Sequence, residues 1–480
     1  PAYPNLQGGF VWDFVDQALR ERTPDGSIIY TYGGDYGPYD PSDKNFNCNG
    51  LISPDRVPNP HMYEIRKTYQ SIWTTPEDLS HGIVSVYNEN FFTDLSAYYL
   101  EWQLLADGEP VQQGVIDRLN IQPGERVRLV VPFSASEAPA GKELLLNVAY
   151  KLRKATSILP AGHVVAYDQI EVAPYTAYVQ GVAQGKKRVD LYRDNTRVIV
   201  TTDEVEVTFG ARSGWIERVR LDGKDLLLEG HAVRPNFWRA PTDNDMGANL
   251  HFRFGAWKMT DTRKKSDLIE HQGNNAVLNF VYDLPRVEAE LHMRYEINDR
   301  GEIAITEKLV TLSEKENMPG LFRFGMQLVM PGTYDRVDYY GHGPGENYAD
   351  RYLSEPLGHY RQLVSEQYYP YIRPQESGAK TGVRYWKVVD ADGRGLQLRS
   401  DLPFSASALP YLQDDLDDGF AKDQRHSGEL KPRDLTVLSF DLKQMGLGCQ
   451  NSWGALPWAE YLLPYGPYTF NSVLTPVKKR

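Results

Sequence analysis

LQGGFVWDFVDQ, running from Leu6 to Gln17, is the stretch on which the reading of the fold turns. Leu6, Phe10, Val11 and Trp12, with two glycines among them, have the length and content of a buried strand, and polar residues begin at Asp13. In barrels built from parallel strands, that end of a strand is where chemistry takes place. Trp12 can also be a core aromatic and Asp13 a turn residue, and spacing alone favours that plainer reading.

Outward from this stretch, the bulk properties narrow the class. At 480 residues the chain has room for about three domains. Its 40 glycines, 31 prolines and 31 tyrosines, with 41% hydrophobic and 24% charged residues, describe a turn-rich, β-rich globular protein rather than a disordered or fibrous one. A net charge of −12 and a pI near 5.4 argue against binding phosphate backbones, so no nucleic-acid partner is expected. Cys48 and Cys449 are too far apart and too few to make a disulfide framework, which fits a reducing compartment. No apolar run reaches the roughly 18 residues of a membrane span, so no membrane association is expected and the expected location is cytoplasmic or periplasmic. Pro1 reads as lying inside a structured region, and the natural N-terminus is expected upstream of it.

Arg22 to Gly50 reads as one long loop rich in Gly, Pro and Asp, whose aromatic residues, Tyr30, Tyr32, Tyr36, Tyr39 and Phe46 among them, favour order. PNPHMYEIRKTYQSIW then predicts an amphipathic helix with Asn59 as its cap, Pro60 in its first turn, and Met62, Ile65, Tyr69 and Ile72 on one face. From Ile83 the period changes to two. IVSVYN, AYYLEWQLL, VRLVVPF and ELLLNVAYKLR read as strands, with ADGEP as a turn, and their spacing suggests an immunoglobulin-like sandwich. A polar connector, AYVQGVAQGKKRVDLYRDN, leads to a second β-region from about Val198, with turns at LDGK and NDRG and alternating strands such as EIAITEKLV.

Several signatures are missing: HExxH, CxxC, GxSxG and GxxxxGK[ST] do not occur. The acidic run Asp414 to Asp418 lacks the ligand spacing of a calcium loop and reads as a solvated loop, and GHGPGENYADR reads as a structural turn. RPNFWRAPTDNDMG, from Arg234 to Gly247, and QNSWGALPW, from Gln450 to Trp458, set tryptophans in polar, glycine-containing loops. Such loops suit sugar recognition, in which a ring stacks on the C–H face and amides or carboxylates bond the hydroxyls; packing of the loops themselves is the competing reading.

Taken in order, LQGGFVWDFVDQAL, YGGDYG, FNCNGLISPDRVPNPHMYEIRK, FWRAPTDNDMG, GHGPGENYADR and QNSWG strongly resemble the C-terminal half of the large β-galactosidases of glycoside hydrolase family 2, across nearly the whole chain. The resemblance implies a mainly β chain: the final strand and helix of a (β/α)8 barrel over 1–74, an immunoglobulin-like β-sandwich over 75–174, a linker over 175–197, and a large terminal β-sandwich over 198–480. By the same resemblance, Trp12 is the apolar wall against the galactose, and Phe46 and Asn49 hold a sodium ion through a backbone carbonyl and a side-chain amide. Gly247 belongs to a mobile loop, and Trp453 stacks on the second sugar. Lys44 stands where the best-known members carry Arg, and Leu250 where they carry an acidic residue, so loop closure is expected to be braced differently.

No catalytic residue is expected in this chain. Retaining glycosidases need two carboxyl groups about 5 to 5.5 Å apart, and the family's two glutamates lie on barrel strands that precede Pro1, as do most ligands of its magnesium ion. Asp16 reads as a helix cap before QAL, and Asp13 and Asp16, on one strand end, cannot flank a glycosidic bond. The expected partners are a galactoside substrate, the N-terminal half of the same enzyme and further copies of it. A non-catalytic subunit of a split β-galactosidase and a free-standing sugar-binding module are the alternatives. The second is disfavoured because a lone barrel strand would leave two edges unpaired.

Overall fold

The computed structural model describes residues 3, 5, 6, 8–37, 44–417, 419, 420, 424–448 and 450–479. Gln7, Tyr39, Asp418 and Cys449 lie outside the described residues, as does the side chain of Lys44. Strands make up 44% of the chain and helices 11%, so the protein is mainly β. No helix among the described residues is long and apolar enough to cross a membrane.

The first segment holds a hairpin, β1 (Leu19–Arg22) with β2 (Ile28–Thr31), and one helix, α1 (Pro60–Thr68). The described residues of the 6–12 stretch form no strand, and Leu6, Phe10 and Trp12 are 61, 105 and 70% exposed. A strand needs a neighbour to take its N–H and C=O groups, and none lies beside this stretch among the described residues. Pairing begins only at Asp13. From there the chain runs parallel to residues 49–52, with Asp13 N donating to Asn49 O (3.2 Å), Leu51 N to Asp13 O (3.1 Å) and Ile52 N to Phe14 O (3.0 Å). No helix follows Asp16, so it caps none. The long loop expected from Arg22 contains β2, because TPDGS makes a turn that folds Ile28–Thr31 back on β1. Helix α1 starts at Pro60 but stops at Thr68, since Ile72 opens the next strand; Asn59 makes no side-chain cap bond, and the buried residue of the helix is Lys67, bonded to Asp168 (2.6 Å).

Alternation builds the second segment. In β4 (Ile83–Asn88), Val84 and Val86 are fully buried while Ile83, Ser85 and Tyr87 are partly exposed. It lies between β3 (Ile72–Asp78) and β7 (Arg126–Val130) in a three-stranded antiparallel sheet. Facing it is a four-stranded sheet of β6 (Glu109–Ile116), β5 (Tyr98–Ala106), β8 (Leu144–Leu152) and β9 (Val164–Ala173), around a core that includes Leu100, Trp102, Leu146, Val148 and Tyr150. Seven strands in two sheets make the sandwich expected of this region.

The stretch read as a linker is strapped to the terminal β-region. Val179 N donates to Ser400 O (3.1 Å), Gly185 N to the Asn275 side chain (2.9 Å), and Lys186 N and Lys187 N to the Asp299 carboxylate (2.7 and 2.9 Å). Within it, β10 (Asp190–Arg193) already belongs to the third segment, as the edge of a five-stranded meander with β11 (Arg197–Thr201), β12 (Val205–Gly210), β13 (Ile216–Leu221) and β14 (Lys224–Asp225). An edge strand needs only one apolar face, which is why its polar residues read as connector.

A twelve-stranded sheet completes the chain: β15 (Arg234–Asn236), β16 (Arg263–Gln272), β17 (Asn275–Leu284), β18 (Ala289–Ile297), β19 (Ile303–Thr311), β20 (Arg323–Pro331), β21 (Arg336–His342), β22 (Leu357–Leu363), β23 (Lys380–Val389), β24 (Gly395–Leu409), β25 (Leu435–Gln444) and β26 (Tyr468–Val477). They pair in the order β15-β20-β25-β24-β26-β19-β18-β17-β16, with β23, β21 and β22 branching from β24. One apolar core, from Val189 to Leu474, joins this sheet to the meander. Short helices α2 (Asp243–Gly247), α3 (Leu250–Arg253) and α4 (Gly255–Lys258) follow β15.

Candidate functional site

A cavity of about 680 Å³ lies where the first segment meets the third. The junction is made of specific bonds: Glu64 of α1 accepts from Leu353 N (3.1 Å) and Ser354 N (2.9 Å), and Tyr32 donates its hydroxyl to Arg425 O (3.0 Å). Trp12, Phe46, Asn49 and Trp453 all line the cavity, although 441 positions separate the first from the last (453 minus 12). Trp12 and Trp453 are 70 and 66% exposed, so both rings are open to a ligand. The Trp453 turn is held by Asn451, whose carboxamide oxygen accepts from Trp453 N and Ala455 N at 3.1 Å each.

Gly247 does not line the cavity. It ends α2, and a Cβ there would sit 1.7 Å from the Ser452 carbonyl oxygen, so it backs the Trp453 turn from behind. The segment around it presents Thr242, Asp243 and Asn244 to the cavity, as the polar-loop reading expected, but not its tryptophan. Trp238 and Arg239 are buried, and Trp238 donates to Asp417 (2.7 Å). Arg239 makes a two-pronged bond to Asp245 (2.9 and 2.7 Å), which with Thr242 forms a capping box for α2. The acidic run likewise is not wholly solvated: the Asp417 side chain is fully buried against Trp238 and Lys258, and Asp415 pairs with Arg433 (2.7 Å). Leu250 is buried in α3, as an apolar side chain should be.

The Asn49 side-chain amide donates to the Phe46 carbonyl oxygen, so the two groups implied as sodium ligands meet. Half a turn of that amide sets two neutral oxygens side by side, a hard donor pair that fits an alkali cation. No cluster of three His, Cys, Asp or Glu side chains able to hold a metal occurs among the described residues.

Behind this pair the wall is polar and buried. Asp16 accepts from Gly50 N (2.7 Å) and from the Asn59 amide (3.1 Å), and burial is the main cause that pushes its carboxyl up to about 6. His61 lies 2.8 Å from the Gly50 carbonyl oxygen through Nε2; burial, then the nearby Arg351, lowers its pKa to about 4, so the ring is neutral and donates that bond. Glu346 shows the opposite balance. Burial alone would raise its carboxyl, but Arg351, the Tyr371 hydroxyl and Gly378 N (2.8 Å) hold it below the ordinary glutamate range. Glu346 and Arg351 come from GHGPGENYADR, read from sequence as a structural turn only; the opposite charges five positions apart in a glycine-rich turn were the available signal. Tyr369 and Tyr371 carried no signal at all. Asp13 does not line the cavity, and Asp16 spends both carboxyl oxygens on Gly50 N and the Asn59 amide, so these two do not form the pair of carboxylates that a retaining glycosidase requires.

The family models match along the chain: glycosyl hydrolases family 2, TIM barrel domain, over residues 1–74; β-galactosidase, domain 4, over 84–173; and β-galactosidase small chain over 201–474, more than half of the chain. The chain belongs to the family 2 β-galactosidases. Among relatives, it is 33% identical over 98% of its length to a β-galactosidase of Priestia megaterium. It is 30% identical over 96% to one of Halalkalibacterium halodurans and 29% over 96% to one of Streptococcus thermophilus. It spans 45, 44 and 43% of those proteins, and corresponds to the C-terminal half of the family 2 β-galactosidase.

Proposed function

We propose that the protein to which this chain belongs hydrolyses terminal non-reducing β-D-galactosides with retention, and that this chain supplies sugar-contacting surface but no catalytic carboxylate. The convergence of Trp12, Phe46, Asn49 and Trp453 on one cavity, in a chain of this family, carries the reading. Trp12 presents an apolar face to the galactose ring, and Trp453 stacks on the second sugar. The Phe46 carbonyl and the Asn49 amide hold a sodium ion, which supplies a positive centre for a sugar hydroxyl when bound. The Asn451 clamp keeps the Trp453 ring at the mouth of the site, where it bears on the second sugar and excludes water. Magnesium belongs to the other half of the enzyme, with homo-oligomerisation and a cytoplasmic or periplasmic location completing the reading.

The test uses the full-length protein and an aryl β-galactoside. The whole protein should turn over while this chain alone does not, and Asn49→Ala should move the sodium dependence of activity to higher concentration with little change in thermal stability. Because ion and sugar binding are linked, galactose affinity should fall by a similar factor. Turnover by this chain that survives repurification, or an unchanged sodium response, would defeat the respective part.

A further inference from the structure

We propose that Asp16 is a positioning residue for the Phe46–Leu51 loop, and that the terminal sandwich reaches this loop through a relay from Tyr369 to Asn59 to Asp16. The proposal rests on the reading that Asn49 in that loop meets the sugar or its ion.

Gly50, the neighbour of Asn49, is held on every side. Its N–H is taken by Asp16 (2.7 Å), and its carbonyl oxygen accepts from the Asn59 amide (2.7 Å) and from His61 (2.8 Å). Its α-carbon is so close to the Asp16 backbone that a Cβ would lie 2.0 Å from Asp16 N. The first of these bonds is charge-assisted when Asp16 is ionised and buried in either state, since Asp16 is 7% exposed. The second Asp16 oxygen accepts from Asn59, which spends its other N–H on Gly50 and its oxygen on the Tyr369 hydroxyl. Asn59 is buried and cannot replace any of these bonds with water.

The bonds have one direction of consequence. Tyr369 sits in the terminal sandwich, its ring against Tyr371 at 4.8 Å between centroids and its neighbour Ser377 tied to Glu346. That group is anchored by Arg351 and by Gly378 N, so Tyr369 is fixed from its own side. Asn59, at the mouth of α1, is thereby tied to the third segment, and Asp16 passes that placement to Gly50. The Phe46 carbonyl and Asn49 amide hang from the loop so fixed, with the Phe46 ring reaching Trp453. The residues read as touching the sugar therefore inherit their position from the terminal sandwich.

The test compares Tyr369→Phe and Asp16→Asn with wild type in the full-length protein. Tyr369→Phe keeps the ring and removes one hydroxyl; Asp16→Asn keeps an oxygen for Gly50 N but turns an N–H toward the Asn59 amide. Amide hydrogen exchange without ligand should quicken over residues 45–52 roughly tenfold in Asp16→Asn and severalfold in Tyr369→Phe, with both sandwiches unchanged. KM for an aryl β-galactoside should rise about tenfold and about threefold, with kcat within a factor of about two, the pattern of lost binding placement. Unchanged exchange over 45–52, or quickened exchange with KM unmoved, would overturn the proposal. So would a fall in kcat at constant KM, which marks loss of folded enzyme. If wild type hydrolyses no galactoside, the functional reading fails instead, and exchange alone decides whether the relay holds the loop.

Discussion

The ring of Phe46 lies 5.5 Å from the ring of Trp453, tilted by 54°. One comes from a single 3₁₀ turn in the barrel-end segment, the other from an Asn-held turn in the terminal sandwich, and their contact closes one side of the cavity. Tilted pairs at this distance contribute about 0.5–1.5 kcal/mol beyond the area they bury. In the full-length protein, Trp453→Ala should raise KM for a disaccharide galactoside by roughly tenfold, and Phe46→Ala by a smaller factor. The double variant should fall short of the product by a coupling of about 1 kcal/mol. Fully multiplicative effects would show that the two rings act separately.

A second contact joins the immunoglobulin-like sandwich to the terminal one. His359 faces Glu109 through Nδ1 (2.5 Å) and Asp338 through Nε2 (2.8 Å); Tyr385 (3.0 Å) and Arg361 (3.2 Å) also reach Asp338. Only the imidazolium can donate from both nitrogens. Burial pulls the His359 pKa down and Arg361 opposes protonation, but the two carboxylates prevail and raise it above 6.5. A raised folded-state pKa means that the stabilisation is whole below about pH 6.5 and fades as pH rises through the folded value. His359→Gln should therefore lower the melting temperature at pH 6 by about 1–2 °C, the effect of about 1 kcal/mol for a partly exposed pair in a chain of this size, and by less at pH 9. An equal shift at both pH values would refute the charged contact.

Sequence alone carried the sandwiches well, because burial on one face leaves a period of two that neighbours cannot erase: IVSVYN and EIAITEKLV are strands at the places expected. It carried the cavity-lining aromatics mainly through family resemblance, with pattern adding the polar, glycine-containing turn that sets out Trp453. What it lost are the long-range partners. Residues 6–12 look like a strand, but strand formation is decided by adjacent chain rather than by apolar content. Asn59 and Asp16 look like helix caps because Asn and Asp before a turn usually bond locally. Here each bonds across tens to hundreds of positions, and nothing in the neighbouring residues announces Tyr369. The connector misled for a related reason: β10 is polar because it is an edge.

Glu307 gives a third test. It points from β19 into the main core, fully buried, with neither carboxyl oxygen hydrogen-bonded to a described residue. Burial first, then the Asp441 charge, raises its pKa well above 4.5, so the folded protein keeps this proton to higher pH than the unfolded chain does. Stability then falls by about 1.4 kcal/mol for each pH unit above 4.5 until the folded-state value is passed. Glu307→Gln cannot ionise and should flatten the denaturation midpoint between pH 5 and 8, making the variant the more stable at pH 8. An unchanged slope would mean that Glu307 is ionised and partnered.

The last test concerns Gly247 and the turn it supports. Its φ is an ordinary helical one, so alanine there meets no backbone penalty, and by propensity alone Gly247→Ala should stabilise α2 by up to about 1 kcal/mol. Space decides otherwise. The added Cβ would lie 1.7 Å from the Ser452 carbonyl oxygen and 2.9 Å from Trp453 N, and because both are backbone atoms no side-chain rotation relieves the overlap. α2 is fixed by its capping box and by the buried Arg239–Asp245 pair, whereas the turn from Gln450 to Ala455 is held mainly by the Asn451 carboxamide. The less anchored side should yield. Gly247→Ala should thus quicken amide exchange at Trp453 and Ala455 severalfold, leave exchange in α2 unchanged, and shift the melting temperature by no more than about 2 °C. In the full-length protein, KM for a disaccharide should change while the variant Trp453→Ala is no longer sensitive to it. Quickened exchange in α2 with a quiet Trp453 turn would place the yielding element on the other side of the contact.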